Sequence, residues 1–146
     1  MGNGVLSSPE TARRVFADTS YFYALLNPRD SNHDRAVAIS AEVAARGLDV
    51  QTTWDVVVEA VTLLRYRVSF DLARIFLTEV TPDLILLYPT DAERRLAIQV
   101  FLKRSRAMRL SLCDAISYVL VSARLDWAPC LTFDADFAAL GLTIFH

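Results

Sequence analysis

Short apolar runs alternate along this chain with longer segments in which apolar residues recur at helical spacing, and that alternation restricts the fold more than any other feature. Val15 to Ala17, Leu48 to Val50, Leu84 to Leu87, Cys130 to Phe133 and Leu142 to Phe145 read as strands. The segments between them read as helices. Strands that take turns with helices call for right-handed βαβ units. The expected class is therefore α/β, a three-layer α/β/α arrangement around a central parallel sheet. With 53% hydrophobic residues among 146, one core can be filled, so residues 13–146 are expected to form a single domain. Residues 1–12 read as a flexible tail.

Local punctuation sharpens this reading. Asn27-Pro28 stops the helix that contains Tyr21, Phe22, Ala24 and Leu25. Gly47 stands where a helix from Asp34 to Arg46 needs a left-handed cap. Thr52 or Thr53 can cap a helix running to Val68, and Ser69 opens another with Leu72, Ile75, Phe76 and Leu77 on one side, ended by Pro82. Two capping boxes, Thr90-Asp91-Ala92-Glu93 and Ser111-Leu112-Cys113-Asp114, open the next helices, the second running to about Leu125.

Several classes are set aside. No apolar run approaches the roughly 18 residues that span a bilayer, and Met1 to Thr11 lacks a basic region followed by an apolar one. Gly2 is followed by Leu6 where a myristoylation signal needs Ser or Thr. A cytoplasmic protein without membrane contact is expected. Cys113 and Cys130 form no Cys-x-x-Cys pair and the histidines are His33 and His146 alone, so zinc is not expected. Both cysteines read as packing residues in a reducing compartment.

The chemistry lies in acids. Val15-Phe16-Ala17 ends in Asp18, Thr19 and Ser20 where a strand gives way to a helix, and ligands of open α/β sheets bind just beyond the carboxyl ends of strands. Glu59 sits in a helix whose neighbours Val58, Ala60, Val61, Leu63 and Leu64 leave little room for an exposed face. Asp114 is the third helical position of a capping box, and Asp134 and Asp136 follow a late strand. Singly, each has an ordinary role as cap, turn or solvated residue. Together they are costly: two carboxylates about 4 Å apart repel by roughly 1 kcal/mol in water and about 4 kcal/mol at an effective dielectric near 20. Protonation or a cation must offset this. Oxygen-only ligation suits Mg²⁺ or Mn²⁺.

These residues resemble a family. Val15-Phe16-Ala17-Asp18-Thr19-Ser20, Glu59 within Val57 to Leu64, Leu110-Ser111-Leu112-Cys113-Asp114-Ala115-Ile116-Ser117 and Leu131-Thr132-Phe133-Asp134-Ala135-Asp136-Phe137 together look like a PIN-domain ribonuclease, of the kind that serves as toxin in VapBC toxin-antitoxin pairs. The resemblance covers Val15 to Phe145. It implies a PIN-like fold, Mg²⁺- or Mn²⁺-dependent endoribonuclease activity, and metal ligation and catalysis by Asp18, Glu59, Asp114 and Asp134. Asp136 is then either a further ligand or an acid beside the ligands, and hydroxyls of Thr19 or Ser20 and of Thr132 would orient a water or hold a carboxylate. It also implies a homodimer, a VapB-like antitoxin and an RNA substrate (tRNA, rRNA or mRNA).

Positive charge is segregated. Arg94, Arg95, Lys103, Arg104, Arg106 and Arg109 follow one another with no acid between them, and Lys103 is the sole lysine. The stretch reads either as a solvated helix face or as a phosphate contact, for which guanidinium is the best group. Arg65-Tyr66-Arg67 adds two guanidiniums and an aromatic able to stack on an unpaired base. His33, beside a polar loop, reads as a loop or cap residue. Two other functions compete: a non-catalytic RNA-binding or scaffold module of the same fold, and a phosphoryl-transfer enzyme with Asp18 as nucleophile. The latter lacks a second acid two residues on and a suitably placed lysine.

Overall fold

The computed structural model describes residues 13–146, and the tail expected over residues 1–12 lies outside them. Four strands, β1 (Arg14–Ala17), β2 (Asp49–Thr53), β3 (Ile85–Leu87) and β4 (Cys130–Leu131), pair in the order β3-β2-β1-β4, all parallel. Among the described residues seven α-helices accompany them: α1 (Thr19–Leu26), α2 (His33–Ala45), α3 (Trp54–Arg67), α4 (Phe70–Ile75), α5 (Asp91–Met108), α6 (Leu112–Ala123) and α7 (Ala135–Ala139). From β1 the sheet grows one way through β2 and β3, and the chain then returns to place β4 on the other side of β1. Right-handed crossovers put α1 to α4 on one face and α5 and α6 on the other. The packing agrees: α1 lies on α2 and α3, α3 on α4, and α5 on α6.

The core follows from the apolar runs. Val15, Phe16 and Ala17 are buried on both faces of the sheet, as a central parallel strand requires. Phe22 of α1 meets Phe76 with ring centroids 5.0 Å apart, and Leu64, Leu120, Leu131 and Phe137 complete the interior. His33 opens α2, and its Nδ1 lies 2.8 Å from the Ala24 carbonyl. Both capping boxes are present, as is the Thr53 cap on α3, whose hydroxyl accepts from Val56 N–H at 3.0 Å.

Four elements differ from the sequence reading. β2 runs on to Thr53 instead of stopping at Val50, because Thr52 and Thr53 pair with Leu86 and Leu87 and the Thr52 hydroxyl donates to the Ala17 carbonyl at 2.7 Å. A satisfied threonine lies in a buried strand as readily as valine. β4 stops at Leu131, since the next residues turn to hydrogen-bond Asp18 and to cap α7. The last expected strand, Leu142 to Phe145, shrinks to a bridge between Ile144 and Cys130. The α4 segment also passes into a wider π turn over Phe76–Val80 before Pro82, with the Thr81 hydroxyl donating to the Phe76 carbonyl at 2.9 Å, and Leu77 points outward.

Gly47 ends α2 with φ +64°, Leu48 N–H returning to the Val43 carbonyl and Gly47 N–H to that of Ala44, both at 3.1 Å. This is the Schellman pattern. A Cβ there would meet only the Arg13 Nη2 at 3.7 Å, so the penalty is conformational. Gly47→Ala is expected to lower unfolding free energy by about 1–2 kcal/mol in urea titrations, and an unchanged midpoint would show that the cap relaxes.

Candidate active site

The strand order reverses direction between β1 and β4, and in open α/β sheets the crevice at such a switch point holds the ligand. Asp18 stands at its edge. It is 2% exposed and caps α1. Its Oδ2 receives the hydroxyl of Ser20 at 2.8 Å and that of Thr132, from beyond β4, at 3.0 Å. Each hydroxyl has one proton to give. Ser20 Oγ in turn accepts from Phe133 N–H at 2.9 Å, and Thr132 Oγ1 from Asp134 N–H at 3.0 Å. The ends of β1 and β4 are thus joined through one carboxylate oxygen. The other, Oδ1, is buried and has no hydrogen-bond partner.

Asp114, Asp134 and Asp136 arrive on helix starts, and Glu59 from the second turn of α3. Asp114 is at the third position of α6, where its Oδ2 accepts from Ser111 N–H at 3.2 Å and its own N–H donates to Ser111 Oγ at 3.0 Å. Asp134 caps α7 through Oδ1, which accepts from Asp136 N–H at 2.9 Å. The capping box expected at Asp114 thus engages one of its oxygens, while Asp134, expected as a turn residue, is the cap of α7. Glu59 lies on α3, half-buried, and the expectation that this helix has little exposed face fails: Trp54, Val58, Thr62 and Tyr66 all face solvent. Asp136 is half-buried in the first turn of α7.

The charges of these acids reach one another. The Asp18 carboxyl is pushed up to about 7, first by burial and then by the Asp114 charge, against the hydrogen bonds of Ser20, Thr132 and the Thr19 backbone, which pull it down. Asp114 is also raised, first by burial and then, against the Ser111 hydrogen bonds, by Asp134 and Glu59. Asp18, Asp114, Asp134 and Glu59 hence share one field. Among the described residues, however, no three His, Cys, Asp or Glu side chains already close on a common point. The acids are near enough to repel and not yet gathered.

Two neighbours were missed in the sequence. Cys113, read as packing, is half-buried among the acids, and burial followed by the charges of Glu59, Asp18 and Asp114 pushes its thiol far up. It is a neutral wall of the crevice. Cys130 is a core residue whose thiol burial and Asp18 push up to about 12. A cleft of about 210 Å³ beside Thr132 and Asp134 is lined also by Arg35. Its cation comes from the first turn of α2, a position that carries no local signal.

No protein-family model matches the sequence, and no curated protein matches it significantly. Solved structures do. VapC20 of Mycobacterium tuberculosis, a sarcin-ricin loop cleaving toxin, is 24% identical over 90% of this chain and 98% of its own, with a TM-score of 0.78. The chain has the fold of a VapC-like PIN domain. FitAcB from Neisseria gonorrhoeae matches with 14% identity over 90% of this chain and 96% of that one, TM-score 0.62. Among the described residues, no helix is long and apolar enough to cross a membrane.

The raised Asp18 carboxyl sets a pH dependence. Between its usual value of 3.8 and about 7, the unfolded chain has released this proton while the native state keeps it. The stability that this carboxyl contributes is therefore present in full below the lower value and lost as pH rises through the upper one. In chelator, the stability of wild type relative to Asp18→Asn is expected to fall from pH 4 to about 7 and to level off above it in thermal melts. A difference independent of pH would contradict the burial of that charge.

Proposed function

We propose that this VapC-like PIN domain is a metal-dependent endoribonuclease, the toxin of a type II toxin-antitoxin pair. The observation that carries the reading is the buried, unpartnered Oδ1 of Asp18 beside the charge of Asp114 at the switch point. A buried carboxylate oxygen with no donor and a like charge nearby is what a cation would relieve. The donor set is all oxygen, which fits Mg²⁺ or Mn²⁺, with Asp18, Glu59, Asp114 and Asp134 as the holding residues and Asp136 next to them. When bound, such an ion supplies an activated water and neutralises charge on the phosphodiester.

The chain's own residues do the rest. Ser20 and Thr132 fix Asp18 so that Oδ1 faces away from the bonds that hold Oδ2. Ser111 does the same for Asp114, leaving its second oxygen available. The starts of α1, α6 and α7 carry these acids, and the positive ends of the helix dipoles offset part of their mutual repulsion. Lys103, Arg104, Arg106 and Arg109 end α5 just before Asp114 and make no ion pair among the described residues. They suit the phosphates of an RNA approaching the acids.

The proposed substrate is RNA, which the similarity to the sarcin-ricin loop cleaving VapC20 supports. A VapB-like antitoxin, a homodimer and a cytoplasmic location complete the reading. The alternative, a non-catalytic RNA-binding module, draws on the acids' not closing on one point.

Asp114→Asn separates the two. As a cap it is expected to cost no more than about 1 kcal/mol of stability. As a ligand its loss should reduce Mg²⁺- or Mn²⁺-dependent cleavage of a tRNA and rRNA pool by orders of magnitude. Cleavage equal to wild type, or no cleavage by either protein once freed of antitoxin, would overturn the nuclease reading.

A further inference from the structure

The end of α3 carries an aromatic and basic surface that the acid cluster does not use. Tyr66 is 82% exposed and Phe70, across the turn into α4, is 61% exposed. The Arg65 guanidinium carbon lies 5.9 Å from both ring centroids. The three side chains form a ridge, and two clefts are lined by residues on it or next to it in the chain. One, of about 520 Å³, is lined by Arg29 and Arg67 beside Asn27 and Ser69. The other, of about 370 Å³, is largely apolar, lined by Val61, Phe70, Ala73 and Leu77 with Arg65 and Arg74 at its edge.

Arg29, Arg65 and Arg67 make no ion pair among the described residues, and the nearby Asp71 is engaged with Arg74 at 3.7 Å. This corner therefore presents uncompensated guanidiniums around rings that solvent can reach. Its placement is specific. Tyr66 follows Glu59 by seven residues, about 20° short of two full turns, so the two share one face of α3 about 10.5 Å apart along its axis.

The geometry points to a base-stacking subsite: Tyr66, with Arg65 and Arg67 beside it, holds an unpaired base of an RNA strand whose backbone runs along α3 to the acid cluster. The inference rests on the nuclease reading for what happens at the acids, but the subsite itself is a matter of binding. Stacking on an aromatic face tolerates any base, and guanidiniums on either side meet the flanking phosphates. A protein partner would find the same rings, yet three unpaired arginines and a direct line to the acids favour a polyanion whose bases are free.

The test uses fluorescein-labelled single-stranded RNA of mixed sequence, about twelve nucleotides long, and a hairpin duplex of the same length. Binding is read by anisotropy in chelator, where cleavage does not intervene. Tyr66→Ala is expected to weaken single-strand binding about five- to 150-fold, with little effect on the duplex. Tyr66→Phe should bind as wild type, and Arg67→Ala should reduce the salt slope by about 0.7. Because Tyr66 is exposed, melting temperatures should not move. Equal binding by wild type and Tyr66→Ala, or equal loss on both RNAs, would overturn the subsite. So would a change of oligomeric state in Tyr66→Ala by light scattering, which would assign the ridge to a second copy. Wild-type protein that binds through Tyr66 but cuts no RNA with Mg²⁺ or Mn²⁺ would sink the nuclease reading and leave the subsite standing.

Discussion

One carboxylate governs this structure. Asp18 is buried where β1 ends, and its Oδ2 is the meeting point of hydroxyls from Ser20 and Thr132. Those two hydroxyls hold the end of β1 against the end of β4, while the Thr52 hydroxyl, on the Ala17 carbonyl, ties β1 to β2 on the other side. A buried anion is tolerated only with donors or a partner charge. Here half of the group is satisfied by protein and half is left bare. The charge of Asp114 adds repulsion to this carboxyl. A fold that keeps such an arrangement is poised for a ligand that removes it.

The parts of this design that were readable in the sequence are those decided locally. Both capping boxes, the Gly47 cap, the stop at Asn27-Pro28 and the start of α4 at Ser69 depend on residues within one turn of each other. The apolar run before Asp18 was equally plain. What depended on distant partners was not readable. β2 extends through polar threonines because β1 and β3 supply their hydrogen bonds, and β4 is cut short because Thr132 and Asp134 are taken by Asp18 and α7.

The site divides in the same way. Asp18, Glu59, Asp114, Asp134 and Asp136 stand out by residue type and position, and the shared field of the first four follows from the topology that delivers them to one edge. Cys113 packs against the core as expected, but no residue near it in sequence shows that it also lies among the acids. The outward apolar face of α3 was missed because Val58 and Trp54 are exposed in this chain, which no rule of hydrophobic burial anticipates.

The central claim is that these acids hold a divalent ion through Asp18. A titration of the full chain with Mn²⁺, read by electron paramagnetic resonance as loss of the free-ion signal, tests it most directly. The account expects saturable binding in wild type and its loss in Asp18→Asn, whose melting shows the fold retained. Binding that persists unchanged in Asp18→Asn, or no binding in wild type at millimolar Mn²⁺, would contradict it.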